Sequence, residues 1–371
     1  MLCGYAFDGK NIVEQGTYLL MRGINITEGI IRHSSELDRY YTGSVNNLTK
    51  YKLTTGDLVI GMDGSKVGRN SAIVSLTENG SYLVQRVCRI KSCIGNDFIL
   101  QLVNNHKFHK YVDMVKTSSA IPHISLKDIQ NFPIAVPSIQ KEADKISRLF
   151  HLIDERIATQ SKIIEDLKKL KSAIIENHYN QAEKQTASIA DLGEPFSVGN
   201  LAKDDLTETG MPCVVYGELF TTYGETISQI ESHTNKTTGM ILSKKGDLLF
   251  PSSTTVDAMS LIAPSVINVD GVILGGDMFG IHINHNYNAQ YLSYYFNHIA
   301  KRQLAKFAKG STIIHLHYAD IEKAKLLLPS LEEQNRMAKC IMSLDAKINI
   351  ENFFISLLNS QKTHLLRQMF I

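Results

Sequence analysis

Two stretches of this chain repeat one pattern, and that repeat limits the architectures open to it. VPSI at 136–139 and LPSL at 328–331 each lead into a long run of apolar residues at helical spacing. The correspondence extends upstream at a constant separation of 192 residues: His123 falls on His315, Asp128 on Asp320, Ile129 on Ile321 and Pro137 on Pro329. Farther upstream, TTGDLVI (54–60) answers KKGDLLF (244–250). A chain carrying two copies of one unit, each ending in a long helix, is organised to perform one task twice.

From Ile139 the apolar residues recur at alternating steps of four and three: Ile139, Ala143, Ile146, Phe150, Ile153 and Ile157, then Ile164, Leu167 and Ile174. This is a heptad seam sustained over about five heptads, interrupted by polar residues at Gln160 and Lys171. In the second copy, after a slip of one residue, the separation becomes 191. Met337, Ile341, Leu344, Ile348, Ile355, Leu358, Leu365 and Met369 then repeat the seam, and Glu351 and Lys362 fill the same two polar slots. Neither run contains an internal Pro or Gly, and each follows a Pro-Ser pair that supplies a start signal. At ~1.5 Å per residue, ~40 residues give a rod of roughly 60 Å.

Equal seams with matched interruptions predict an antiparallel coiled coil within the chain, about a pseudo-twofold axis. The register that sets Gln160 against Lys362 also sets Lys171 against Glu351, Ile164 against Leu358 and Leu167 against Ile355. Lys171 and Glu351 then form an ion pair that fixes register at some cost in stability. The alternative is that the polar slots simply face solvent.

The segments outside the helices are rich in short β-type runs: YLLMRGINI, GDLVIGM and SYLVQRVCRI, then PCVVYGELF, GDLLFPS and APSVINVDGVILGG. Turn residues such as Asp63-Gly64 and Asp270-Gly271 separate them. One helix-like stretch follows in each copy, about 96–114 and about 288–307. The predicted fold class is therefore α+β: two similar, mainly β domains at 1–135 and 184–327, with long helices at 136–183 and 328–371. Gly16 and Gly23 align with Gly210 and Gly217, so Met1 falls near position 195 of the second copy. The segment SIADLGEPFSVG has almost no counterpart in the first copy. Either that unit is trimmed, or the chain's other end supplies the part.

Length and composition agree with this division. The 371 residues exceed one ordinary core, and 43% apolar with 20% charged residues fits a folded chain. No apolar run approaches the ~18 residues that a membrane span needs, so no membrane partner is expected. Five scattered cysteines (Cys3, Cys88, Cys93, Cys213 and Cys340) lack CxxC spacing, as expected for reduced thiols in a cytoplasmic protein. A net charge of +2 is too small to imply a polyanionic partner, so any nucleic-acid reading rests on local features.

Catalytic signatures are mostly absent. GMDGSKVG (61–68) has the wrong spacing for a phosphate-binding loop and lacks its Lys-Ser/Thr ending, and it reads better as a β-hairpin loop. There is no GxSxG, no HExxH and no HxE…PCxxC, and nothing resembles the Asp/Asn-Pro-Pro-aromatic motif of amino methyltransferases. His315 and His317 share one face of a strand-like run, but a third metal ligand at sensible spacing is missing. His123, their counterpart, is followed by Ser125 in place of the second histidine. Structural hydrogen bonding is the favoured role for these histidines. No catalytic residue and no metal site is assigned, and a binding protein is the expected class.

Candidate contact residues are polar loop residues with flexible donors. In the first copy they are Arg22, Asn25, Ser65, Lys66, Arg69, Asn70, Lys116 and Ser119. In the second they are Ser252, Ser253, Thr254, Thr255, Lys309, Ser311 and Thr312. Arg and Asn can read guanine and adenine bidentately, while Ser, Thr and Lys can hold phosphates. Solvated turns would look the same. The loops differ in sequence between copies on a similar frame, as two readers of different half-sites would, and as drift would.

The combination of GDL[VL] strand, Ser/Thr-bearing loop, Pro-Ser boundary and long helix resembles the DNA-specificity subunit of type I restriction-modification systems. The boundary stands here as LLLPSLEEQNRMAKCIMSLDAKI and IAVPSIQKEADKISRLFHLIDERI. The first departs from the family pattern, with Gln140-Lys141-Glu142 in place of Glu332-Glu333-Gln334. The likeness covers nearly the whole chain. It implies two target recognition domains reading a bipartite, asymmetric site in double-stranded DNA, with the coiled coil as a ruler between half-sites. It implies modification subunits docked along the helices and further restriction subunits that translocate and cleave. S-adenosylmethionine, ATP and Mg would belong to those partners, and no cofactor to this chain. A two-module scaffold binding protein or glycan on a coiled-coil stalk is the competing expectation.

Overall fold

A computed structural model of the protein describes residues 1–369. The chain divides into two compact units: Met1–Ser161 together with the segment from Phe353, and Lys162–Asn352. The central helix spans Gln140–Gln181 and the C-terminal helix Leu331–Met369, so each unit contains part of both. The expectation of helix at 370–371 lies outside the described residues.

In the second unit a five-stranded sheet runs in the order Gly193–Ser197, Met278–Ile283, Asp247–Pro251, Ser265–Ile267, Thr226–Ile227. A second sheet runs Leu206–Thr207, Ser232–Thr234, Met211–Val215, Ile273–Gly275, Ile241–Leu242. Every residue of Asp247–Pro251 is buried because the strand has a core on each face. Side chains alternate along a strand. Leu248 and Phe250 meet the helices, while Leu249 joins Val214 and Leu274 on the other side. The first unit is similar but smaller. One sheet runs Leu2–Cys3, Val87–Ile90, Leu58–Gly61, Ser71–Ile73, and the other Ile12–Val13, Tyr40–Tyr41, Tyr18–Met21, Tyr82–Leu83.

The repeated GD pair has a direct structural cause. Gly56 and Gly246 hold φ of +89° and +92°, the left-handed region that a tight turn needs and that only glycine adopts without penalty. The next carboxylate closes each turn: Asp57 accepts from the Thr54 amide at 2.9 Å, and Asp247 from the Lys244 amide at 2.8 Å. The repeated Asp128 and Asp320 cap short helices at Leu126–Asn131 and Tyr318–Ile321 by accepting from the amides of Ser125 and His317.

Each single helix expected after the β region is broken. In the first unit Asn96–Val103 ends and His106–Val115 begins, because the Asn105 side chain accepts from the Lys107 amide and so caps a new helix. In the second unit Ala289–His298 is followed by a separate turn at Lys301–Leu304.

Within each unit the two long helices run antiparallel, and the polar seam residues are inside. Gln160, Lys171 and Glu351 are 4%, 5% and 9% exposed, which excludes solvent-facing slots. The expected Lys171–Glu351 ion pair, however, is corrected. Lys171 Nζ donates to Asp345 Oδ1 at 2.6 Å and to Glu225 Oε2 at 3.0 Å, and Glu351 takes Lys347 from its own helix. Lys362 Nζ donates to Asp154 at 2.5 Å. Each lysine thus meets a carboxylate six residues from the expected position, 345 in place of 351 and 154 in place of 160. A lysine stem can lie in an apolar seam while its ammonium reaches a carboxylate at the rim, where desolvation costs less. Asp154 and Asp345 are themselves 191 residues apart, as are Lys171 and Lys362, so one ion pair is used twice.

In the second unit this pair is elaborated. Glu225 also takes His298 Nε2 at 2.9 Å, and the Tyr294 hydroxyl donates to Asp345 at 2.6 Å. Burial alone would raise the Glu225 carboxyl, but the His298 hydrogen bond and the Lys171 charge outweigh it and hold it down to about 2. A depressed carboxyl stabilises the fold above its unfolded value and loses that contribution as pH falls toward the folded one. We expect ~3 kcal/mol of the second unit's stability to disappear between about pH 4.5 and pH 2. In Glu225→Gln, urea unfolding should lose this acid dependence. Lys171→Met removes the cation shared by two carboxylates and should cost ~3 kcal/mol, against ~1 kcal/mol for Lys362→Met at the more exposed pair. Equal losses in chemical denaturation would contradict this account.

Candidate nucleic-acid interface

In each unit the repeated frame brings two loops side by side. In the first unit, loop 61–70 joins strands Leu58–Gly61 and Ser71–Ile73, which pair antiparallel, as expected for a hairpin. Gly68 sits at φ +72°, and a Cβ there would lie 2.8 Å from Val112, so the loop packs hard on the helix His106–Val115. The Gly64 amide donates to Pro122 O at 3.0 Å, and Asp63 bridges to His123. These bonds dock loop 116–123 against loop 61–70.

One cation from each loop then converges on Asp113. Arg69 Nη2 and Lys116 Nζ each reach it at 2.7 Å. The Lys116 hydrogen bond, with Arg69 alongside, holds that carboxyl below its usual range. Lys66 pairs with Glu28 at 3.0 Å, and both are well exposed. The Ser119 hydroxyl bonds Ile121 O at 2.7 Å, and Thr117 ties its loop to His123 through ring and amide contacts of 3.0 Å. Ser65, Lys66, Arg69, Lys116 and Ser119 are therefore brought together. Asn70 is half-buried in the same loop.

Two expected contacts in this unit need correction. Asn25 is 1% exposed; it donates to Arg32 O and Asp38 and accepts from the Arg22 amide. Arg22 is half-buried and directs Nη1 at Leu37 O. Both fasten the segment 32–38 to the sheet. Asn25 has no surface to present, because its side chain is taken up by the Arg22 amide, the Arg32 carbonyl and the Asp38 carboxylate.

In the second unit the equivalent junction is a two-stranded ladder, Ser253–Thr254 against Ile314–His315. Lys309 and His315 exchange both backbone hydrogen bonds, at 2.9 and 2.7 Å, and close the neck of loop 310–314. Ser311 and Thr312 are exposed at its tip, and Thr255 is exposed beside it. Lys309 Nζ lies 2.5 Å from Asp320, whose carboxyl it holds down. Thr254 accepts from the Val256 amide at 3.2 Å. Ser252 and Ser253 are corrected as well: at 4% and 8% exposed they present almost no surface.

Sequence reasoning missed a groove next to this ladder, lined by Tyr216, Phe220, Thr254, Val256, Lys301 and Ile313. Its apolar members are exposed, Val256 at 74% and Ile313 at 50%. The signal was faint: an aromatic on each side of Gly217, just after a buried strand. As for the histidines, His315 and His317 stack with centroids 6.1 Å apart, and His317 leans on Asp320. Among the described residues no group of three or more His, Cys, Asp or Glu is arranged to hold a metal ion. No helix of the described residues is long and apolar enough to cross a membrane.

Comparison with known proteins agrees with this duplicated geometry. The family model for the type I restriction modification DNA specificity domain matches twice, over residues 2–169 and 181–358. The specificity subunit of the type I restriction enzyme MjaVIII from Methanocaldococcus jannaschii is 24% identical over 259 residues, covering 63% of this chain and 60% of that protein's length. The crystal structure of a type I restriction-modification S subunit from M. genitalium superposes with a TM-score of 0.62 at 15% identity, covering 100% of this chain and 93% of the other. A chain from a structure describing assembly and conformational transition of a type I system superposes with a TM-score of 0.56 at 13% identity, covering 99% and 94%. The two family matches span most of the chain, which belongs to the type I restriction-modification DNA specificity family.

Proposed function

We propose that this chain reads DNA for a type I restriction-modification complex and carries no chemistry of its own. Each unit reads one half of a bipartite, asymmetric duplex site, and the paired helices set the separation between half-sites. Modification subunits that use S-adenosylmethionine, and restriction subunits that use ATP and Mg, perform the reactions in the cytoplasm. One observation carries this reading. A loop junction is built at the same place twice, on His123 against Asp63 in one unit and on His315 against Ser253 in the other, while the exposed tips differ: Ser65-Lys66 with Ser118-Ser119 in one unit, Ser311-Thr312 with Thr255 in the other. An invariant frame with variable polar tips suits two readers of different sequences.

Most cations of these loops already have carboxylate partners, so binding by the isolated chain should be modest. Lys66→Ala should lower the slope of log affinity against log salt by about one, measured by gel shift in the presence of modification subunits. Replacing loop 310–314 should alter only one half of the methylated motif and leave the other half and the spacing unchanged, read by methylome sequencing. Loss of neither half, or of both, would refute the assignment of one half-site to each unit. A scaffold for protein or glycan would show no dependence on duplex sequence at all.

A further inference from the structure

The docked loops of the first unit meet at a carboxylate that belongs to neither. Asp113 stands in the last turn of the helix His106–Val115, and its oxygens serve different loops. Oδ2 accepts from Arg69 Nη2 of loop 61–70, and Oδ1 from Lys116 Nζ of loop 116–123, each at 2.7 Å. The backbone braces both contacts. Gly68, next to Arg69, packs on the buried Val112, next to Asp113. The Lys116 amide donates to Val112 O at 2.9 Å, so the second loop leaves directly from the helix end.

The three side chains nevertheless stay open to a ligand: Arg69, Asp113 and Lys116 are 40%, 41% and 32% exposed. An arginine reads guanine through a bidentate contact, which favours that base only if the guanidinium plane is held. Asp113 takes one N–H at Nη2 and leaves others of the fork for such a contact. Its carboxyl, kept below the usual range by the Lys116 hydrogen bond, is charged at neutral pH. The neighbouring pair of Lys66 with Glu28 lacks this bracing. It is a single contact between two well-exposed side chains, which holds little order.

Resting on the reading function proposed above, we propose that Asp113 is a positioning residue. It presets the Arg69 guanidinium against a guanine of the first unit's half-site and Lys116 against the adjoining phosphate. By neutralising part of both cations it also restrains binding to DNA of unrelated sequence.

The complex with modification subunits tests this, by methylome sequencing and by titrating a duplex that carries the motif against one that does not. Asp113→Asn should lower the preference for one guanine about tenfold and leave the other half-site and the spacing intact. It should also steepen the salt dependence of binding to the unrelated duplex by about one. Glu28→Gln removes an equal charge beside the same loop and should leave every base preference unchanged. An unaltered motif in Asp113→Asn, uniformly weaker binding with the same base preference, or equal relaxation in Glu28→Gln would each overturn the proposal. Arg69→Ala separates it from the reading on which it rests. If Arg69→Ala loses the guanine preference and Asp113→Asn keeps it, only the positioning role falls. If Arg69→Ala leaves the motif as it was, reading by this loop falls too.

Discussion

The structure depends on apolar surface that the β units cannot bury alone. In the first unit Phe98, Leu102 and Phe108 close only with Ala143, Phe150 and Ile153 of the central helix and Leu366 of the C-terminal helix. In the second unit Phe250, Leu292 and Tyr294 close with Ile175, Met337 and Ile341. The helices are therefore a wall of each core as well as partners for each other. Packing of an apolar face supplies most of a helix's stability in a folded protein. The ion pairs that accompany the seam add specificity more than stability, because desolvating two charges offsets much of their attraction.

The repeated residues are almost all frame residues. Gly56, Asp57, Asp128 and Ile129 recur because a left-handed turn, its closing carboxylate, a helix cap and a core contact are needed wherever this unit is built. What does not recur lies at the loop tips. The neck of the second unit's loop is closed by main-chain bonds between Lys309 and His315, which are indifferent to the residues between them. Variation in reading is thereby separated from variation in fold.

This division explains how far the sequence could be read. Heptad spacing, the Pro-Ser starts and the duplicated GDL strand express period and backbone geometry, which a sequence displays, and these led to two α+β units with antiparallel helices. The ion-pair partners do not follow from the seam, because a lysine's position in a heptad does not say where its ammonium goes. Lys171 and Lys362 both leave the seam for an aspartate at its rim. Asn25, Ser252 and Ser253 are polar and flexible, as contact residues are, yet residue type is blind to burial. The groove between Tyr216 and Ile313 is invisible in the sequence because its walls come from four separate segments.

The second unit is one uninterrupted span, Lys162–Asn352, whereas the first needs the segment from Phe353 to complete its core. During synthesis the earlier-born unit must therefore wait. Its own β region leaves the ribosome first, but Asn105 finds the carbonyl of Leu366 only after the whole of the later unit has been made. Order of birth and order of completion are thus reversed, and the nascent first unit carries an unfinished apolar face through most of translation.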